Sequence, residues 1–544
     1  MRHRLVLALL LPAAVAAQPV DARVDSIFAF ATPSTPGCAV AAARSGEVLF
    51  ARGYGTADLE HDVPITRSTP FYLASVSKQF TAAAIDLLVL DGKLSLDDDV
   101  RKYVPELPSY GAPITLRHLM THTSGLRDYL ALFSLRGLDD HPITIAEFLE
   151  TVAKQRALNF PTGEQYSYSN TGYVLLSIVV QRVSGKSLRD FARERIFGPL
   201  GMTSTQFRDR HDQLVKDRAL AYARAAGGGY RLAVPYFDVV GDGGLFSTVE
   251  DLARWEGNFW DPRVGGAEWL TLEAMRGRLR DGTTIAYGAG LQHGVYRGEP
   301  IVEHGGSLGG YNTHLLRMPA RRFSVAVLCN DNAKSASVLA RQVADVFLPD
   351  LVAADRPAVA AAPTVVAPAS AESVDRYAGA FFNDRTMTVR SISARGGKLY
   401  YLRGPTDSVE LAPLGAGRFQ LTGTPSAVAL SRAADTLRLE IPGAPPSAYG
   451  RVAPVRTRDW RKYTGTYASD ELGVTWRVDP PGGADSAIVL RSALGDSARA
   501  VPAFDDAFRA GGLFLRFARD RHGRVTDMLV SAGERARNVR FVRR

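Results

Sequence analysis

The chain has 544 residues, 46% of them hydrophobic and 22% charged, and at about 100–200 residues per domain it has room for about two to four domains, each with its own core. Apolar content near the globular average excludes a wholly disordered chain. Neither Gly at every third position nor a sustained heptad occurs, which excludes collagen-like and coiled-coil classes. The net charge of +9 is uneven: residues 373–544 hold 27 Lys+Arg against 17 Asp+Glu, whereas the first 372 hold 38 against 39. A basic C-terminal third suits anionic polymers or membrane surfaces. Its arginines are dispersed among apolar alternation, however, and no nucleic-acid motif accompanies them. They read as solvated strand faces, and no nucleic-acid partner is expected.

Residues 1–17 read Met1-Arg2-His3-Arg4, then an apolar run from Leu5 to Leu11, then small residues. This is the pattern of a secretory signal, with cleavage after Ala16 or Ala17. The run is too short for a stable membrane span, no later segment reaches 18 apolar residues, and no lipobox precedes the first cysteine, Cys38. A periplasmic or secreted protein without a membrane span is expected. The only cysteines, Cys38 and Cys329, lie in apolar strand-like runs. Two small core residues is the first reading, and one bridge between neighbouring strands is the alternative. Neither has the spacing of a catalytic or metal site.

A helix-like stretch at 20–31 leads to a hairpin with arms 38–44 and 47–55 and Ser45-Gly46 at its turn. Residues 75–91 place apolar side chains at 80, 83, 84, 87, 88 and 90, a helical spacing, and Asp91-Gly92 supplies the stop. Helical and loop segments follow. Strands return at 283–303 and 311–330, and an amphipathic helix covers 334–348. Strands at both ends with helices between predict one α+β domain over 18–351, whose sheet joins the two chain ends. Residues 352–372 read as a linker, since 352–370 hold eight Ala and three Pro. Beyond it come strands and turns, with Gly-rich hairpins at 396–397, 482–483 and 511–512. Tyr377, Leu402 and Phe419 recur as Tyr463, Leu490 and Phe508, at offsets of 86, 88 and 89. Two all-β units, 373–455 and 456–544, are expected, each a small closed barrel; a single larger sandwich is the alternative.

Ser75-Val76-Ser77-Lys78 opens the first long helix. Side chains three apart share one helix face, so the Lys78 amine can reach the Ser75 hydroxyl. A serine hydroxyl needs a nearby base, and a lysine serves only where burial or a neighbouring cation lowers its pKa from about 10.4. The helix N-terminus favours negative charge developing beside it. Tyr168-Ser169-Asn170 is the only Tyr-x-Asn among the 20 tyrosines. A phenol near an ammonium loses its proton more easily and can relay it, while Asn170 can orient a substrate carbonyl or the lysine. Alone, this stretch also reads as a polar turn before the apolar helix 172–183. His304-Gly305-Gly306-Ser307 lies on or beside a strand, and its glycines admit a ligand backbone as at a cleft edge; alone it reads as a Gly-rich hairpin. His118 and His122 are four apart, a zinc spacing, but the run lacks the Glu of HExxH and no metal is expected. The glycines at 241, 243 and 244 lack the lysine and length of a phosphate loop, so no nucleotide or other cofactor is expected.

In the order Ser-x-x-Lys, Tyr-x-Asn, Lys/His-x-Gly, the three motifs resemble the serine β-lactamase and penicillin-recognising family, and more narrowly its class C β-lactamase, D-aminopeptidase and esterase branch. FYLASVSK at 71–78, LMTHTSGL at 119–126 and GGLFSTVEDLARW at 243–255 agree. The resemblance covers residues 23–350, and the β tail is similar to that of the D-aminopeptidase subgroup. It implies an α+β catalytic domain, an antiparallel sheet flanked by helices, followed by all-β C-terminal domains. It also implies that Ser75 is the acylated nucleophile, Lys78 and Tyr168 the shared base and acid, Asn170 a substrate contact and His304 the third-motif residue. Gly306 and Ser307 share that strand, and the backbone amides of Ser75 and Ser307 would form the oxyanion hole. His304-Gly305 supplies neither a permanent cation nor the hydroxyl of Lys-Thr-Gly or Lys-Ser-Gly, which counts against efficient β-lactam hydrolysis.

The expected function is an exported serine hydrolase acting through an acyl-enzyme on a small amide, peptide or ester, D-aminopeptidase- or esterase-like. A β-lactamase or DD-peptidase is the alternative, and a non-catalytic penicillin-recognising wall-peptide receptor is another. The linker is expected to leave the first domain a complete core of its own. The tail is expected to shape substrate choice through a loop that reaches the cleft and through its positive charge.

Overall fold

A computed structural model describes residues 19–354 and 375–544, except residue 140 and the stretches 403–407, 423, 425, 432–433, 442–445, 456–458, 482–486 and 493–494. The expected signal, nearly all of the expected linker and the hairpin at 482–483 lie outside the described residues. Five helices of the first domain matter for the site: α1 (Val20–Ile27), α2 (Lys78–Leu90), α3 (Tyr129–Leu135), α4 (Asn170–Ser184) and α5 (Ala336–Phe347). Its main strands are the expected hairpin, β1 (Cys38–Arg44) and β2 (Glu47–Tyr54), and five from the far end of the domain. These are β3 (Tyr287–Gly288), β4 (Leu291–Tyr296), β5 (Glu299–Leu308), β6 (Tyr311–Met318) and β7 (Phe323–Cys329). They form one antiparallel sheet in the order β3-β4-β5-β6-β7-β1-β2, so the β1–β7 pair joins the two ends of the domain.

β1 is an unbroken apolar run because both of its faces are covered. Ala39 and Ala41 face the larger, helical core, whereas Val40 and Ala42 face a second core beneath α1 and α5. The same register sets Cys38 opposite Cys329, and the two are bonded. Of the two readings open from sequence the bridge is realised, because strands 291 residues apart in the chain become neighbours. α2 runs through the middle of the helical core with 11 of its 13 residues buried, and it ends at Gly92, whose φ of +69° suits only a residue without a side chain.

The tail folds into two closed eight-stranded barrels, from Gly379 to Val452 and from Gly465 to Arg543, rather than one sandwich. The sequence repeat is a packing repeat. Tyr377 meets Phe419 edge-on at 5.5 Å, and Tyr463 meets Phe508 the same way at 4.9 Å. Phe382 of the first barrel stacks on Phe514 of the second at 4.9 Å. Among the described residues no helix is long and apolar enough to cross a membrane.

The second barrel docks on α3. Leu132 and Leu135 of α3 pack into the barrel's own apolar core. Beside them Arg127 pairs with Glu471 and donates to Gln155 Oε1 at 2.9 Å and to the carbonyls of Arg537 and Asn538 at 3.2 Å. The two charged side chains are 2% and 10% exposed. Two leucines of the first domain thus belong to the barrel's core, and a chain ending near residue 351 would expose them and take Glu471 away from Arg127, while the first domain's own two cores contain no tail residue. Glu471→Ala is expected to destabilise the full chain by about 3–5 kcal/mol, the penalty for breaking a buried pair. Thermal unfolding checks this against Asp470→Ala, which removes an 88% exposed carboxylate; equal midpoints would show that the pair does not hold the interface.

Candidate active site

Ser75 sits on a 3-10 turn, Ala74–Ser77, that runs directly into α2 at Lys78. Lys78 Nζ lies 3.1 Å from Ser75 Oγ, as the three-residue spacing predicts. Ala74, just before the serine, has a φ of +47°, a costly conformation for a residue with a side chain. The turn is held there by the sheet. Thr313 Oγ1 donates to the Leu73 carbonyl at 2.7 Å, and a Cβ on Gly306 would stand 2.1 Å from that same oxygen. Glycine at 306 is thus what lets β5 close on the turn, bringing Ser75 and Ser307 to one cavity.

Lys78 is fully buried. Besides Ser75 it donates to Asn170 Oδ1 at 2.8 Å and to the Asp242 carbonyl at 2.7 Å, and it lies 5.0 Å from the centre of the Tyr168 ring. Burial lowers its pKa to about 8, against the opposing charges of Asp242 and Asp128 and with help from Arg535. Asn170, the first residue of α4, is fixed by Asp128: its N–H and Nδ2 donate to one carboxylate oxygen at 2.7 and 2.9 Å. The other oxygen of Asp128 caps α3 at Leu130 N, 3.0 Å away. The Asn170 amide oxygen thus orients Lys78, while its Nδ2 has a second hydrogen and the residue lines the cavity, so a substrate contact stays open. The glycines at 241 and 243, dismissed as a phosphate loop, shape the turn that aims the Asp242 carbonyl at Lys78. Gly241 has a φ of +111°, and a Cβ on Gly243 would sit 2.5 Å from the Tyr72 hydroxyl. The Asp242 carboxyl accepts from Tyr129 Oη at 3.0 Å, and burial pushes it up to about 6.

The Tyr168 hydroxyl is buried, faces Ser75, and makes no formed hydrogen bond among the described residues. Burial raises its pKa, with Ser75 opposing; the nearby ammonium does not reverse this, contrary to the expectation of a loosened proton. His122 packs on the Tyr168 ring at 4.2 Å, and its Nδ1 accepts from Ser169 N at 3.2 Å. Burial, then Lys78, holds it neutral. His118 instead bonds Thr115 as part of a helix cap. His304 occupies β5 with both ring nitrogens engaged, Nδ1 with the Gly305 carbonyl at 2.7 Å and Nε2 with Tyr287 Oη at 3.0 Å. Burial and then Lys78 push its pKa down to about 3, so it brings no cation to the cleft.

Ser75, Tyr168, Asn170, His304, Gly306 and Ser307 all line one cavity of about 650 Å³. So do two residues of the tail, Glu534 and Arg535, at the tip of the hairpin between Val525–Ala532 and Ala536–Arg543. The Arg535 carbonyl accepts from Asp128 N at 2.8 Å and from Asn159 Nδ2 at 2.9 Å, and its guanidinium lies 5.3 Å from the Tyr168 ring centre. Sequence reasoning missed Asp128, Asp242 and Arg535, and weighed His122 only as a metal ligand. Asp128 carried a faint signal as a helix-capping residue before an apolar run; Arg535 carried none.

Residues 20–347 match the family model described as Beta-lactamase. Among curated proteins, the D-aminopeptidase of Gluconobacter oxydans is 32% identical over 311 residues, 57% of this chain and 58% of that protein, so the match spans less than two thirds of it. Penicillin-binding protein 4* of Bacillus subtilis is 33% identical over 54% of this chain and 67% of its own length. The D-aminopeptidase of Brucella melitensis biotype 2 is 26% identical over 96% of this chain and 99% of its own. Among solved structures, the octameric penicillin-binding protein homologue from Pyrococcus abyssi matches with a TM-score of 0.54 at 24% identity, covering 79% of this chain and 99% of that one. The D-amino acid amidase from Ochrobactrum anthropi SV3 gives 0.50 at 24% identity over 61% and 99%. At that identity the two structures share the fold. The family model begins at the first residue of α1 and ends at the last of α5, and on that span the chain belongs to the Beta-lactamase family.

Proposed function

We propose that this protein is an exported serine hydrolase that cleaves small amides or esters through an acyl-enzyme, with D-aminopeptidase- or esterase-like specificity. The observation that carries the reading is the buried Lys78 amine beside Ser75 Oγ. As an ammonium it donates to Ser75, Asn170 and Asp242. As a neutral amine it keeps the last two bonds and turns its lone pair to the Ser75 hydroxyl. A pKa lowered to about 8 makes that neutral form accessible near neutral pH.

Lys78 then takes the Ser75 proton as Oγ attacks the substrate carbonyl carbon, and the N–H groups of Ser75 and Ser307 hold the oxyanion. Tyr168, kept a phenol by burial, gives its proton to the departing amine or alcohol and receives the one Lys78 carries. The carbonyl–leaving-group bond breaks and an acyl ester remains on Ser75. Water attacks that ester with the same pair running in reverse. Relatives named D-aminopeptidase support amide cleavage. The signal pattern at residues 1–17 and the Cys38–Cys329 bridge support an oxidising compartment.

Reaction with a fluorescent fluorophosphonate is expected to place one adduct on Ser75, and Ser75→Ala to abolish both labelling and hydrolysis of aminoacyl anilides and short esters. An adduct on Ser77, or none, would sink the assignment, and none would favour a non-catalytic receptor. The Lys78 base sets the pH dependence. Below about 8 the amine is protonated, so the acylation rate should fall about tenfold per pH unit and level off above. A flat single-turnover profile from pH 6 to 9 would remove Lys78 as the base. Tyr168→Phe should slow acylation by about 10²–10⁴, the usual loss of a general acid; a loss under tenfold would make the phenol structural.

A further inference from the structure

The third-motif strand supplies no cation. His304 is neutral and both of its nitrogens are bonded, and the Lys78 protons are committed to Ser75, Asn170 and Asp242. Arg535 is the only lysine or arginine among the described residues lining the cavity. Its backbone is pinned on the first domain through the two bonds to its carbonyl from Asp128 and Asn159. Asn159 Oδ1 also accepts from Arg537 N at 2.8 Å, so the hairpin tip is tied on both sides of the arginine. The side chain leaves this fixed point and lays its guanidinium over the Tyr168 ring, a stacking that suits a planar cation. It makes no salt bridge among the described residues. Glu534 and Arg535 act in opposite directions on Tyr166 at the cavity wall, Glu534 acts besides on Arg537, and of the two only Arg535 acts on Lys78, Tyr168 and His122.

We infer that Arg535 is a specificity-determining residue that pairs with a carboxylate on the departing half of the substrate, so that peptides ending in a free carboxylate one residue beyond the scissile amide are preferred. The side of the cleft follows from Tyr168. In the reading proposed above, on which this inference rests, its hydroxyl hands a proton to the departing amine, and the guanidinium covers that same ring. A carboxylate placed one residue beyond that nitrogen finds a fork of unpaired N–H donors, whereas a neutral amide there finds no charge partner. The cation absent from the substrate strand is thereby supplied from a different domain.

The test uses the full chain and two substrates of equal size, alanyl-glycine and alanyl-glycinamide, each with D- and L-alanine, read by the amine released. The wild type should favour the free carboxylate in kcat/KM by about tenfold, within the range of a charge-assisted hydrogen bond. Arg535→Ala should bring the ratio close to one, and Arg535→Lys should keep part of it. A ratio near one in the wild type, or one that survives in Arg535→Ala, overturns the inference. So does an equal fall for both substrates, which would make the arginine an electrostatic tuner of Lys78 and Tyr168. Protection of Ser75 from the fluorophosphonate separates this from failure of the proposed function. N-acetylglycine should protect at about tenfold lower concentration than N-acetylglycinamide, and the difference should vanish in Arg535→Ala. If neither dipeptide is cleaved, peptide hydrolysis fails while the protection arm still decides the role of Arg535.

Discussion

A lysine ammonium taken wholly out of water is the constraint around which this molecule is arranged. Burying an unpaired charge costs several kcal/mol even after relaxation, and Lys78 is fully buried without a salt bridge to either nearby carboxylate. What stabilises it is three neutral acceptors, one for each of its three protons. Each acceptor needs its own support. Asn170 is held by Asp128, the Asp242 carbonyl by a loop bent through glycines, and Ser75 by a strained turn clamped against Gly306 and Thr313. α2 can carry the lysine into this place only because it is buried nearly all round. The marginal solvation is also the chemical asset: an amine this poorly compensated gives up its proton near neutral pH.

That arrangement crosses a domain boundary. Every motif residue lies before 310, yet the residue that holds Asn170 is itself held from the tail, because Asp128 N donates to the Arg535 carbonyl. One residue earlier, Arg127 spends its charge on Glu471 of the same barrel. Adjacent residues of one loop thus carry polar ties between the domains, and one of them also caps α3 and holds the Asn170 amide. Displacing the second barrel would free Asp128 N from the Arg535 carbonyl and withdraw Glu534 and Arg535 from the cavity together. The first barrel touches the second through Phe382 on Phe514, and none of its described residues line the cavity.

Much of this was legible where the determinants are local. The Ser75–Lys78 contact follows from helical spacing, the ends of α2 from apolar period and Gly92, and the barrel pair from a repeat whose tyrosine and phenylalanine prove to pack on each other. What escaped was non-local. Cys38 and Cys329 could not be paired before the β1–β7 register was known. The direction of the Tyr168 shift turned on burial, which a motif does not encode; the neighbouring ammonium was visible and the desolvation was not. The Ala/Pro linker gave no sign that α3 offers Leu132 and Leu135 to the barrel, beside two cores of the first domain that contain no tail residue.

The basic character of the tail, a bulk property of the sequence, resolves into individual fates. Arg477 and Arg491 both close on Asp479, Arg519 on Asp506 and Arg540 on Asp527, each within 2.5–2.9 Å. Arg543 is spent on backbone carbonyls of Lys462 and Val525. Such pairs knit strand to strand on exposed faces and contribute little individually. They leave the net positive charge of the tail unchanged, but salt screens its field beyond about 10 Å. A diffuse positive domain is therefore a poor explanation for choosing acidic ligands in a narrow cleft. A single guanidinium, over the Tyr168 ring and fixed through its own backbone to the first domain, would act on a ligand at contact distance, where screening does not reach.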